Sequence, residues 1–142
     1  MTVKLFEEYL DEGVAILISP DYSRARSLQK ESEQSYKILK EIVRKIGVTD
    51  SNANYLIKNS YDIIMELIRS KMFKEGYKTQ GQGAHQAEVA YLRVLRFKDI
   101  DIEFADQLRS FRNGILYYGK TFDAEYAEKV IEFVEKVYEK LN

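Results

Sequence analysis

From residue 22 to residue 141, apolar side chains return every three or four positions almost without a break, and this spacing leaves few folds open. In the stretch 22–46, Ala25, Leu28, Ser32, Ser35, Leu39, Ile42, Val43 and Ile46 succeed one another at helical steps, and the small serines predict close approach to a neighbour. The only proline, Pro20, sits in Ser19-Pro20-Asp21, where it interrupts backbone bonding and Asp21 can cap this second helix. Upstream, a first helix is expected over 3–16, running into a short apolar stretch. Gly47 ends the second helix, and Thr49 to Asn52 offer caps for a third over 51–75. That third helix carries Ala53, Leu56, Ile57, Tyr61, Ile63, Ile64, Leu67, Ile68, Met72 and Phe73, more than one narrow stripe, so it should be the most buried.

Gly76 stops the third helix, and residues 77–83 (YKTQGQG) read as a polar loop. A fourth helix over 84–95 presents Ala87, Ala90, Tyr91, Val94 and Leu95, and the segment KDIDI after it reads as a turn or a brief extended piece. The fifth, over 101–118, places Phe104, Leu108, Phe111, Ile115 and Tyr118 on one side. The last, over 123–141, turns Val130, Phe133, Val134, Val137 and Leu141 inward. No alternating run is long enough to predict a strand. The expected fold is all-α: a single domain over 1–142, an antiparallel up-and-down bundle of five or six helices.

A chain of 142 residues can bury roughly two-thirds of its unfolded surface, enough for a core without staples. With no cysteine, disulfides, thiolate metal sites and thiol nucleophiles are excluded. A single histidine, His85, excludes a multi-histidine metal site within one chain; no motif supports a metal site or a cofactor. The first residues lack a basic segment followed by a long apolar block, and Val14 to Ile18 is too short to span a bilayer, so a cytoplasmic protein off the membrane is expected. Abundant Lys, Glu, Ile and Tyr suit a thermophile. The net charge of −1 conceals an asymmetry: residues 1–23 carry −4, residues 24–98 carry +7 and residues 99–142 carry −4. A basic middle can serve a phosphate-bearing ligand; it can equally be a set of solvated faces that pair with each other.

The stretch RSFRNGILYYG, residues 109–119, asks for chemistry. On a helix, Arg112 lies about 100° round from Phe111, at the edge of the apolar side. Arg109 sits one turn earlier and can add a second cationic fork. Gly114 costs about 1 kcal/mol against alanine inside a helix, which suggests close approach by a backbone or ligand. An arginine at a groove rim suits phosphate, asparagine can position a ribose, and tyrosine can stack a base but is a poor proton shuttle near neutral pH. The alternative is that Arg112 pairs with an acid such as Asp106, or one across a dimer, and that Tyr118 is core.

The third helix ending in "GYK", the polar loop, His85 opening the next helix and above all "RNGILYYGK" resemble the HEPN family of helical-bundle domains, over about residues 22–140. That family's motif is Arg, often followed by Asn, then four to six residues, then His. Arg112-Asn113 matches its first half; Tyr117 or Tyr118 stands where the histidine would be. The resemblance implies a homodimer whose motif helices line a shared cleft. It also implies one of three activities: nucleotide or RNA binding without full nuclease activity, metal-independent RNA cleavage as a toxin paired with a nucleotidyltransferase, or service as a non-catalytic partner subunit. With the second cationic fork that Arg109 adds by its position, the expected ligand-binding residues are Arg109, Arg112, Asn113, Tyr117 and Tyr118. Arg112 is then the expected catalytic residue, with His85 as a displaced acid or base.

Other features have plainer readings. A histidine at a helix start can simply bond to backbone or face water. Gly81-Gln82-Gly83 is a flexible connection without the strand and Lys-Ser/Thr of a phosphate loop. Arg24 and Arg26 fall about 200° apart and cannot share one basic face. Tyr55, Tyr61 and Tyr91 fit core or interface positions, and the acids from Glu125 to Glu139 alternate with lysines as on a wet helix face.

Overall fold

The computed structural model describes residues 3–142. Six helices and two short strands come in the order α1 (Phe6–Asp11), β1 (Ala15–Leu17), α2 (Tyr22–Lys45), α3 (Ala53–Glu75), β2 (Tyr77–Thr79), α4 (Ala84–Val94), α5 (Asp99–Tyr118) and α6 (Ala124–Leu141). The architecture is the all-α bundle expected. α3 is its central rod: it packs most extensively on α2 and α6 and also touches α4, α5 and β2. Leu56, Ile57, Ile63, Ile64, Met65, Leu67, Ile68 and Met72 on α3 are almost wholly buried, each contributing about 1.5–3 kcal/mol of transfer free energy. α6 buries Val130, Phe133, Val134, Val137 and Leu141, the stripe its spacing predicts. Between α5 and α6 the gap is filled by rings, with Phe104 on Phe133 at 4.7 Å and Phe111 on Phe122 and Tyr126 at 4.8 and 5.2 Å.

The local signals explain the boundaries. Asp21 caps α2 by accepting from the Arg24 N–H at 3.0 Å, and Asp123 caps α6 by accepting from the Tyr126 N–H at 3.0 Å. Gly76 ends α3 with φ +91°, and a Cβ there would lie 2.6 Å from the Ile18 carbonyl oxygen, so only glycine fits.

Three sequence expectations are corrected. The first helix does not run over 3–16: α1 ends at Asp11, Gly13 turns the chain at φ +77°, and the apolar run becomes β1. The polar loop at 77–83 begins as its antiparallel partner β2, with Ala15 opposite Thr79, Ile16 opposite Lys78 and Leu17 opposite Tyr77. Three residues a side give too short an alternation to read from sequence; tertiary contact decides it. KDIDI is neither turn nor strand but the start of α5, where Asp99 and Asp101 favour the helix N-terminus.

Candidate functional site

The end of α5 that carries the RNG motif is built differently from expectation. Tyr117 is 72% and Tyr118 79% exposed, so Tyr118 leaves the apolar side on which the spacing placed it. The inward set of α5 is instead Ile102, Ala105, Leu108 and Gly114, with Phe104, Phe111 and Ile115 half-buried. Gly114 lies where the chain makes its own return. Gly119 adopts φ +64°, the Lys120 N–H reaches back to the Gly114 carbonyl at 3.2 Å, and the Lys120 side chain would press on a Cβ at 3.1 Å. Asn54 then holds the turn, donating to the Lys120 carbonyl and accepting from the Phe122 N–H, both at 2.9 Å.

Both arginines of the motif are engaged. Arg109 Nε donates to Asp106 Oδ1 at 2.9 Å, one turn away on the same helix. Arg112 reaches across to α3, where its guanidinium stands 5.4 Å from the Tyr61 ring centroid and Nη2 lies 3.4 Å from Asp62 Oδ1. Its Nε is buried without a hydrogen-bond partner. Asn113 is half-buried beside it. Neither Arg112 nor Asn113 lines any of the principal hollows of the fold.

A well-formed hollow lies elsewhere, where the start of α2, the end of α3, β2 and the start of α4 meet. Its volume is about 460 Å³, within the range of small-molecule sites. Arg24 and Leu28 come from α2, Arg69, Met72 and Phe73 from α3, Lys78 and Thr79 from β2, and His85 and Glu88 from α4. His85 and Glu88 stand three residues apart on one helix face, so the imidazole Nδ1 reaches Glu88 Oε1 at 2.8 Å. Glu88 is 4% exposed. Arg69 clamps it with two donors, Nε to Oε2 at 2.6 Å and Nη2 to Oε1 at 3.2 Å. Burial alone would raise the Glu88 carboxyl; the hydrogen bonds from His85 and Arg69 outweigh it and hold the group below the usual carboxylate range.

This arrangement has chemical consequences. In the neutral ring the carboxylate acceptor 2.8 Å from Nδ1 favours the proton there, while Arg69 Nη2 also stands 3.4 Å from that nitrogen, and Nε2 of the half-exposed ring is the atom left for a ligand. Arg24 stacks its guanidinium on the Phe73 ring at 4.4 Å, and Lys78 projects from β2. Among the described residues neither has an ion-pair partner. With His85 neutral the lining carries three cations against one carboxylate, an excess that favours an anion. Tyr61 lies between the two arginine systems; burial, then the Glu88 charge, push its hydroxyl up to about 12, so it stays a neutral donor.

The sequence thus named His85 but set it beside Arg112; the structure instead brings it to Glu88, Arg69, Arg24 and Lys78. The His85–Glu88 spacing was a readable signal. Arg69, sixteen residues earlier on another helix, gave none. No group of histidine and carboxylate side chains among the described residues is arranged to hold a metal ion, and no helix is long and apolar enough to cross a membrane. No family model, curated protein or solved structure matches the chain.

Proposed function

We propose that this protein is a nucleotide- or RNA-associated binding module, and that the phosphate-bearing part of its ligand occupies the groove of Arg24, Lys78 and His85. The observation that carries the reading is the locked histidine: Arg69 fixes a buried carboxylate, and the carboxylate fixes the imidazole at the mouth of a cation-rich hollow. A core does not require that order of support for a half-exposed ring, whereas a ligand site does. The resemblance of residues 22–140 to HEPN domains points to the same ligand class while favouring Arg112. The two placements differ in what they predict.

Thermal shift with nucleoside phosphates tests it: a ligand at a hundred times its Kd should add about 2.7 kcal/mol. Arg24→Ala with Lys78→Ala should weaken that ligand about 10- to 100-fold, the value of one or two charge-assisted contacts. Arg112→Ala should leave it unchanged. The opposite pattern would return the site to α5.

The half-exposed imidazole also favours a second reading, a metal-independent ribonuclease in which His85 is the acid or base. Labelled RNA cut by the wild type and spared by His85→Ala would select it. For the homodimer, or a nucleotidyltransferase partner, the exposed Leu116, Tyr117 and Tyr118 offer the apolar contact.

A further inference from the structure

A second hollow, about 240 Å³, lies on the other side of the seam between α2 and α3. Arg26, Lys71 and Lys74 line it together with Tyr22, and no carboxylate does. Among the described residues none of the three cations has an ion-pair partner. Lys71 is partly buried, and burial followed by the neighbouring Lys74 charge lowers its ammonium pKa. Two ammonium groups held together without a counter-ion are a repulsion that an anion relieves. Tyr22 is 56% exposed and open to a stacked base.

We propose that this hollow is a second phosphate site, and that the two hollows flanking the α2–α3 seam together hold single-stranded nucleic acid. The proposal rests on the reading of the His85 groove as the first site. The seam itself is closed: Ala25 is buried and the Ser70 hydroxyl donates to its carbonyl at 2.8 Å, so the hollows do not merge. Arg24 and Arg26, which cannot share a face, therefore serve one hollow each, about a helix diameter of 10–12 Å apart. A mononucleotide engages one hollow. A chain with a phosphate on every residue engages both, with positive charge tracking its backbone and an aromatic face at one end.

The test compares two probes on the full chain: AMP by calorimetry, and a fluorescent oligouridylate of about eight residues by anisotropy across a salt series. In Arg26→Ala/Lys71→Ala/Lys74→Ala, circular dichroism first checks the fold. The oligonucleotide should then bind at least about tenfold more weakly, and its log–log salt slope should flatten by about 2, at about 0.7 for each phosphate no longer neutralised. AMP should bind as before. Arg26→Lys alone should retain the oligonucleotide. An unchanged oligonucleotide affinity and slope in the triple variant, with AMP still bound, overturns the second site and leaves the first. Failure of both probes to bind the wild type overturns the first site and the second with it.

Discussion

Arg69 and Arg112 both act electrostatically on Tyr61, and each faces a carboxylate, yet they are different objects. Arg69 grips an acid whose side chain is 5% exposed, through two donors at 2.6 and 3.2 Å. Arg112 reaches, at a single 3.4 Å approach, an acid that is 56% exposed, and leaves its Nε unpaired. The motif belongs to Arg112; the built geometry belongs to Arg69. An arginine's weight in a fold is set by how deeply its partner is buried, because removing one member strands the other without water.

Replacing Arg69 by methionine keeps the stem and removes the charge. Glu88 would then be left buried with only His85. We expect a loss of about 2–3 kcal/mol in urea unfolding, below the usual range for a broken buried pair because Arg69 is itself a third exposed. The loss carries a pH signature. In the wild type the depressed Glu88 pKa gives stability that is present above the ordinary carboxylate value and lost as pH falls through the folded one. Without Arg69, burial dominates and Glu88 tends to hold its proton, so the gap between wild type and variant should narrow in acid. A loss under about 1 kcal/mol, flat with pH, would make the clamp an ordinary surface pair.

Between the two arginine systems on α3 stands Glu66, and it tests the same comparison at intermediate size. Asp62, Glu66 and Arg69 succeed one another at four and three residues on the least buried side of that helix. Burial, then the charges of Glu31 and Asp62, push the Glu66 carboxyl up to about 7 from 4.5. For an acid raised in the folded state the sign is reversed: the folded chain holds the extra proton, and stability falls as pH rises from about 4.5 to about 7. After allowance for solvent screening this is about 1 kcal/mol. Glu66→Gln removes that dependence, so the variant should gain on the wild type between about pH 5 and pH 8. Parallel curves across that interval would show that Glu66 is as well solvated as its neighbours.

How much of this was legible in the sequence depends on the range of each interaction. Helix existence depends on side chains three and four apart, and α2, α3 and α6 appear where their spacing placed them. The small sheet depends on Ala15 meeting Thr79, a pairing with no local trace, so one strand was read as the tail of a helix and the other as loop. Tyr118 failed for another reason. The backbone leaves the helix at Gly119 to bring Lys120 back over Gly114, and Leu116, Tyr117 and Tyr118 of the last turn stay exposed. In the site, His85 and Glu88 share a helix face and were within reach of inspection; Arg69 and Lys78 join them only through the packing of α3 on α4 and the pairing of β2.

Arg112 stands at the other extreme from Arg69. Its guanidinium sits 5.4 Å from the Tyr61 ring centroid, an attraction that a methionine thioether replaces in part. What Arg112→Met removes is a long approach to an exposed Asp62 and a buried Nε that has no acceptor. The first, together with the cation–π contact to the ring, is worth about 1 kcal/mol, and deleting the second is favourable by a similar amount, at the low end of the roughly 1–3 kcal/mol that an unsatisfied buried donor costs. The two terms oppose, so the substitution should move stability by no more than about 0.5 kcal/mol. A loss as large as that of Arg69→Met would mean that the Asp62 approach tightens in solution into a buried pair. The RNG motif would then regain the structural weight that this geometry gives to Arg69.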